Sequence, residues 1–191
     1  MVFLGGLAIF FVFLFSSVSK KPIQGAWATF IKNTVAFPRR DQASAGLPMR
    51  LKIPNINVDS AVEYVGVTAD GAMDVPKIPA DEAWFNLGPR PGEKGSAVIA
   101  GHFDWKNGAP AVFANLDKLR PGDKLYIEDD KGVIIIFVVR ESRSYDPQAD
   151  ASGVFGSNDG KAHLNLITCE GIWNKAAKSY SRRLVVFADK E

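Results

Sequence analysis

Among 191 residues there is a single cysteine, Cys169. No internal disulfide can form, and no multi-cysteine zinc site can be assembled. Histidine is nearly as scarce, with only His102 and His163 in the chain. A metal site drawn from His102, Asp104, His163 and Cys169 matches no zinc or calcium spacing, and no glycine-rich nucleotide-phosphate loop occurs, so neither metal nor cofactor is expected. Charge of one sign is also lacking. The 23 Lys and Arg against 21 Asp and Glu leave a net charge of +2, too near balance for a nucleic-acid binder. Internal repeats and low-complexity tracts are absent. What is there is globular: 47% hydrophobic and 23% charged residues exclude a mainly disordered chain. The length suits one domain plus an appendage.

The appendage is N-terminal. Residues 1–19 contain no ionisable side chain, and Val2 to Phe15 are apolar or glycine throughout. As a helix this run would rise about 28 Å, close to the thickness of a bilayer's hydrocarbon core. A single transmembrane anchor is expected; a cleaved signal peptide ending near Ser17-Val18-Ser19 is the alternative, although no positive region precedes the apolar run. Residues 20–48 read as a basic linker. Six of the 23 basic residues and one of the 21 acids fall between Lys20 and Arg50, so the rest of the chain carries 17 basic and 20 acidic residues. Trp27, Phe30, Ile31 and Val35 recur at helical spacing and predict a short amphipathic helix, lying in the membrane interface or packed on the domain. Lys20 and Lys21 directly after the span would, by the positive-inside rule, hold the linker and the domain in the cytoplasm. Charge alone does not decide the topology.

From Met49 onward the apolar segments are short and bounded by turn residues, and residues 49–191 read as an all-β domain. Strands are expected over Leu51 to Ile53, Ala61 to Val67, Ser96 to Ala100, Lys124 to Glu128, Val133 to Val139, Leu164 to Thr168 and Arg183 to Ala188. Val133 to Val139, with three consecutive isoleucines, and the final Leu-Val-Val-Phe-Ala run both read as strands buried on two faces. Lys131-Gly132 separates two strands closely enough for a hairpin. Ala111 to Leu119 is the one internal helix expected, with Val112, Phe113, Leu116 and Leu119 on one face. Many strands and few helices favour a closed barrel or a sandwich.

Chemistry concentrates at strand ends. Cys169 comes directly after Leu164-Asn165-Leu166-Ile167-Thr168, and His102 ends Ala97-Val98-Ile99-Ala100-Gly101. A rigid strand aims such groups while solvent still reaches them. Cys169 by itself is either a small buried hydrophobe or a reactive thiol. Arg183, opening the last apolar strand, offers fixed charge and several donors for a carbonyl or a developing oxyanion. With ordinary side-chain pKa values, about 3% of Cys and about 25% of His are charged at pH 7, and about 1% of molecules carry both charges. Because a thiolate is a strong nucleophile, that small fraction can still turn over, and a nearby Arg would enlarge it.

Leu166-Ile167-Thr168-Cys169, Ala100-Gly101-His102 and Arg183-Leu184-Val185-Val186 together resemble the signature motifs of sortases, cysteine transpeptidases of bacterial cell surfaces. His102, Cys169 and Arg183 occur in the family's order, with 67 positions between the first two and 14 between the last two. Gly71-Ala72-Met73-Asp74-Val75-Pro76, the Pro91-to-Asp104 segment and Leu119-Arg120-Pro121-Gly122-Asp123 are most similar to class F. The resemblance, covering about Leu51 to Lys190, implies an eight-stranded sortase-like β-barrel with short helices and no cofactor. It implies a single-pass cell-membrane protein whose catalytic domain is extracytoplasmic, against the charge rule. Its partners would be surface proteins bearing a C-terminal sorting signal and an amine acceptor such as a cell-wall peptide.

The resemblance also implies roles. Cys169 would attack the threonine carbonyl of a signal similar to Leu-Pro-x-Thr-Gly, His102 would protonate the departing glycine amine, and Arg183 would stabilise the oxyanion. Strand alternation lets only one of Arg182 and Arg183 face the thiol, and Arg183 is preferred because it directly precedes Leu-Val-Val. Thr168, Asp104 and Trp173 are candidate substrate-binding residues. Each has an ordinary alternative: a strand threonine, a turn-stabilising carboxylate, and a loop aromatic covering the barrel rim. His163 matches no motif and is expected at the surface or a strand edge. Two other readings stay open, a cysteine peptidase that mainly hydrolyses and a non-enzymatic β-barrel surface domain with a buried thiol.

Overall fold

The computed structural model describes residues 45–191. Eight strands are present: β1 (Pro48–Ile53), β2 (Val58–Val65), β3 (Glu82–Phe85), β4 (Gly95–Gly101), β5 (Lys124–Asp129), β6 (Ile134–Tyr145), β7 (Ala162–Asn174) and β8 (Ser179–Lys190). They close into a barrel in the order β1-β2-β3-β4-β7-β8-β6-β5. The β2/β3 and β4/β7 pairs are parallel, and the others are antiparallel. The all-β, eight-stranded expectation holds. The expected anchor and the amphipathic helix of the linker lie outside the described residues, among which no helix is long and apolar enough to cross a membrane.

Alternation builds the interior. Leu51 and Ile53 of β1, Leu125 and Ile127 of β5, and Ile135, Phe137 and Val139 of β6 point inward and pack with Trp84, Ile99, Leu164, Leu166 and Val186. Each side chain buried this way contributes roughly 1.5–3 kcal/mol. The β5–β6 hairpin turns at Lys131-Gly132, as its sequence predicts. Burial of Val133 to Val139 on both faces does not hold. Ile134 is 58% exposed and the strand alternates, because nothing covers the outer face of β6 there. The final strand is indeed buried on two faces. Leu184 and Val186 face the interior, while Val185 and Phe187 join Val98, Ile167, Val154 and Phe155 in a second apolar cluster outside the barrel. The cover is a single helical turn, α1 (Ser152–Phe155), in the β6–β7 connection.

The helix expected over Ala111 to Leu119 is a run of turns ending in a 3-10 turn at Leu116–Lys118. Phe113, Leu116 and Leu119 are buried on one face as expected. The segment's internal bonds span three residues instead of four, as from Ala114 N–H to Ala111 O, Leu116 N–H to Phe113 O and Leu119 N–H to Leu116 O, while Val112 N–H donates to Pro79 O at 2.9 Å and Phe113 N–H to His102 O at 2.9 Å. β3 was not legible in the sequence, since a four-residue Glu-Ala-Trp-Phe strand shows no alternation and opens with a charge.

Glu82 lies on the Trp84 face of β3 and is fully buried. Ser60 Oγ donates to its Oε1 at 2.6 Å, while Oε2 has no hydrogen-bond partner. Burial pushes the carboxyl up to about 8. Between the ordinary value of 4.5 and about 8, the folded chain therefore holds a proton that the unfolded chain has released. Stability falls as pH rises through that window, by at most roughly 1.4 kcal/mol per pH unit. Urea unfolding at pH 5 and pH 8.5 should show this loss in the wild type and a much flatter response in Glu82→Gln. An equal loss in both proteins would assign the pH dependence to another group.

Candidate active site

Strand register brings the three motif residues to one rim of the barrel. β4 and β7 run parallel with Ala100 opposite Ile167. Thr168 Oγ1 donates to Gly101 O at 2.9 Å across a separation of 67 residues. His102, the residue after β4, and Cys169 continue that offset side by side; Cys169 lies inside β7 and Arg183 inside β8, not at the strand ends the sequence suggested, because the β7/β8 hairpin extends beyond both. In the antiparallel β7/β8 pair, Cys169 is opposite Arg183 and Glu170 opposite Arg182. Residues opposite each other share a face, so Cys169 and Arg183 lie together with Ile167 and Val185 on the outer face. Arg182 belongs to the other face. There its Nε donates to Ser144 Oγ at 2.6 Å and its Nη2 to Ser144 O at 3.0 Å, while Ser144 Oγ also donates to Glu170.

Two glycines in the motifs have steric reasons. A Cβ on Gly101 would sit 2.5 Å from the Phe113 ring, so the residue before His102 must be glycine for the 111–119 segment to close against it. Gly171 has φ of 87° where the β7/β8 register shifts between Glu170 and Trp173, a bulge that suits glycine.

His102 is half-buried. Its Nε2 lies 2.9 Å from Pro76 O, and since a carbonyl only accepts, Nε2–H is the donor. The ring also meets Trp105 edge-on, with centroids 5.1 Å apart. Cys169 is a half-buried free thiol. Burial pushes this thiol above its ordinary value; Arg183 pulls it down and Asp104 pushes it up. Arg183 therefore favours the thiolate as expected, but burial outweighs it, and the resting thiolate fraction is smaller than the unperturbed arithmetic gives. Arg183 Nη1 donates to Tyr180 O at 3.1 Å and Arg182 O at 2.9 Å, and Nη2 to Ser179 Oγ at 3.1 Å. These contacts orient the guanidinium while leaving part of its fork of five donors for a ligand.

The candidate substrate-binding residues surround this rim in three different ways. Thr168 is buried and its hydroxyl is engaged by Gly101 O, tying the two strand ends together. Asp104 accepts a hydrogen bond from Tyr180 Oη at 2.5 Å. Trp173 lies on β7 itself instead of a loop, because β7 and β8 run past their apolar cores to Asn174 and Ser179. It is 47% exposed. Its ring stacks edge-on with Tyr180, its register partner, at 5.3 Å. Pro76, Trp105 and Tyr180 were missed from the sequence. Only a full-length hairpin register could have flagged Tyr180, and nothing local marks the Pro76 carbonyl.

His163 is not a surface residue. It is buried, with Nδ1 2.7 Å from Asp189 Oδ1 and Nε2 3.0 Å from both oxygens of Asp159. Both ring nitrogens face carboxylates, and this bond holds Asp159 well below the usual carboxylate range. Six residues before Cys169 on an extended strand, it is about 20 Å from the thiol. Among the described residues no cluster of three or more His, Cys, Asp or Glu could hold a metal ion.

A family model described as the sortase domain matches residues 51–191. Among solved structures, the chain is similar to sortase C-1 from Actinomyces oris, with a TM-score of 0.60 and 21% identity over 75% of this chain and 74% of that one. It is similar to sortase C1 of GBS pilus island 1, with a TM-score of 0.56 and 23% identity over 75% of this chain and 64% of that one. A lid mutant of sortase A from Corynebacterium diphtheriae gives a TM-score of 0.61 and 19% identity over 87% of this chain and 90% of that one. No curated protein matches. Identities this low speak to the fold alone. The family model carries further, because the residues it matches span the whole barrel from β1 to β8, His102, Cys169 and Arg183 included. The chain belongs to the sortase family, whose members are cysteine transpeptidases.

Proposed function

We propose that this chain is a membrane-anchored, class F-like sortase. It cleaves a Leu-Pro-x-Thr-Gly-like signal between Thr and Gly and passes the acyl group to an amine on the cell surface. The observation carrying this reading is the strand register that sets Cys169 opposite Arg183 on one outer face and continues to His102, the residue after β4. Beside them, Met73, Ala100 and Tyr145 are partly buried against the outer apolar cluster, a floor suited to the apolar residues of such a peptide. Class F rests on the motifs around Met73, His102 and Pro121. The anchor and the extracytoplasmic placement rest on residues 1–19 and on the resemblance.

In this mechanism the Cys169 thiol passes its proton to His102 Nδ1 as the sulfur attacks the threonine carbonyl carbon, and Arg183 donates to the oxyanion that develops. As the C–N bond breaks, His102 gives its proton to the glycine amine and a thioester remains. An incoming amine attacks the thioester, its proton returns to His102, and the thiolate leaves. The Nε2–H bond to Pro76 O orients the imidazole for both transfers. With the thiol raised by burial, activity climbs as pH increases towards its ionisation.

The test is incubation of the full-length chain in detergent with a pentapeptide library and candidate amines, read by mass spectrometry. A sorting-signal peptide should yield the amine-linked product, with slow hydrolysis when the amine is withheld. Hydrolysis at the same rate regardless of amine would favour the cysteine peptidase reading. No turnover with a thiol that resists alkylation until denaturation would favour the non-enzymatic one.

A further inference from the structure

One carboxylate fixes the part of the 66–81 connection, between β2 and β3, that meets His102. Glu63 lies on the outer face of β2, and strand register runs from it through Ala83 and Ala100 to Ile167 and Val185, the row two residues away from Cys169 and Arg183. Its Oε1 accepts from the backbone N–H of Lys77 at 3.1 Å and from that of Ile78 at 3.3 Å. The carbonyl of the same Pro76–Lys77 peptide group accepts from His102 Nε2–H at 2.9 Å. No peptide bond among the described residues is cis, and in a planar trans peptide the N–H and the C=O point in opposite directions. A single rigid peptide plane therefore stands between the Glu63 carboxylate and the imidazole, bonded to both. Lys77 and Ile78 are exposed, so without an acceptor their N–H groups would be free to turn towards water and the plane would tilt. Asp74 N–H to Gly66 O at 3.0 Å and Val112 N–H to Pro79 O at 2.9 Å anchor the connection on either side, but neither bond engages this peptide group.

We propose that Glu63 is a positioning residue for the acid–base histidine, acting through the Pro76–Lys77 peptide group. A carbonyl only accepts, so this contact keeps a proton on Nε2 and leaves Nδ1 as the nitrogen that takes a proton from Cys169 and returns it to the departing amine. A ring free to swing or to exchange tautomers would present the wrong nitrogen for part of the time. The device works by hydrogen bonding and not by charge. Two hydrogen bonds and a peptide group separate the carboxylate from the ring, and in exposed surroundings charge at that range is largely screened. Glu63→Gln, which keeps an acceptor oxygen at the same reach, therefore preserves the effect, and Glu63→Ala removes it.

This inference takes His102 as the acid–base group, as proposed above, but its first test needs no turnover. The full-length chain in detergent is labelled with nitrogen-15 histidine and studied by NMR; it holds only two histidines, and His102→Gln assigns their rings. With the ring neutral, wild-type His102 should carry its proton on Nε2 alone, in slow exchange with water. In Glu63→Ala the two His102 nitrogen shifts should move towards the average of the tautomers and the ring proton should exchange faster. The His163 signals should not change, since Asp159 and Asp189 hold that ring elsewhere in the barrel. Glu63→Gln should give the wild-type spectrum. In turnover, Glu63→Ala should lower kcat by about tenfold with KM within about twofold of wild type, and Glu63→Gln should recover the rate. Circular dichroism checks that each variant is folded. A wild-type His102 ring protonated on Nδ1, unchanged His102 signals in Glu63→Ala, a Glu63→Gln spectrum displaced as far as that of Glu63→Ala, or a loss of activity confined to KM would each overturn the proposal. Ring signals that meet these expectations in a protein that joins no peptide to an amine would instead count against the transpeptidase reading alone.

Discussion

Cys169→Ala should abolish the acyl-enzyme and all transfer while leaving the barrel intact. The substitution removes the sole sulfur nucleophile, and no hydroxyl can replace it, because Thr168 is buried with its hydroxyl engaged by Gly101 O. The structural cost is small. The side chain loses one heavy atom at a half-buried position on the rim, outside both apolar clusters, where large-to-small changes lack the cavity penalty of a core site. The measurement is the intact mass of protein quenched in acid during turnover. Wild type should carry a thioester adduct equal to the peptide's N-terminal portion, and the variant should carry none. Product at equal yield from both proteins would remove Cys169 from the chemistry.

Arg183→Ala should lower turnover on the order of a hundredfold or more, about 3 kcal/mol of transition-state stabilisation, whereas Arg182→Ala should change it little. The difference comes from register. Arg183 is opposite Cys169 and its charge acts on the thiol, while Arg182 is opposite Glu170 and its bonds go to Ser144 in an exposed setting. Exposed polar pairs of that kind contribute a fraction of a kcal/mol. Arg183→Ala has a second consequence, since Arg183 favours the thiolate: labelling of Cys169 should shift to higher pH in this variant and not in Arg182→Ala. Arg183→Lys should remain impaired, because an ammonium keeps the charge but loses the planar fork that reaches Ser179, Tyr180 and the oxyanion together. Rates of cleavage and amine transfer for the three variants decide the matter. A crippled Arg182→Ala beside a near-normal Arg183→Ala would transfer the oxyanion role to the other face of β8.

The two arginines show how far local pattern reaches. Period-two alternation by itself says that adjacent strand residues point opposite ways, but it cannot say which way. The choice of face comes from pairing, where Leu184 and Val186 go inside and leave Arg183 with Val185 outside. The same division runs through the fold. Seven of the eight strands were legible because alternating apolar residues bounded by turns leave few other ways to bury them. β3 was not, because its opening residue is a glutamate that only the finished barrel buries. Ala111 to Leu119 shows helical spacing, yet its internal bonds span three residues instead of four, and the N–H groups of Val112 and Phe113 tie it to Pro79 and His102 in distant segments.

The sequence alone determined the kind of chemistry available: one thiol, two imidazoles and an arginine on the last apolar strand, with neither an internal disulfide nor a multi-cysteine metal site possible. It also determined the all-β class and, through three ordered motifs, the resemblance to the family; closure into a barrel instead of a sandwich came with the strand pairing. Tertiary structure decided what surrounds those groups. The parallel β4/β7 register sets His102 beside Cys169, a relation that spans 67 residues and has no local signal. Packing on the outer face half-buries the thiol, so burial outweighs the pull of Arg183, a balance of desolvation against charge that no residue type carries in itself. Hairpin extension brings Tyr180 to Asp104, and packing encloses His163 between two carboxylates where sequence suggested an edge. The chain dictates which groups exist; the neighbours that folding supplies dictate how strongly each holds its proton.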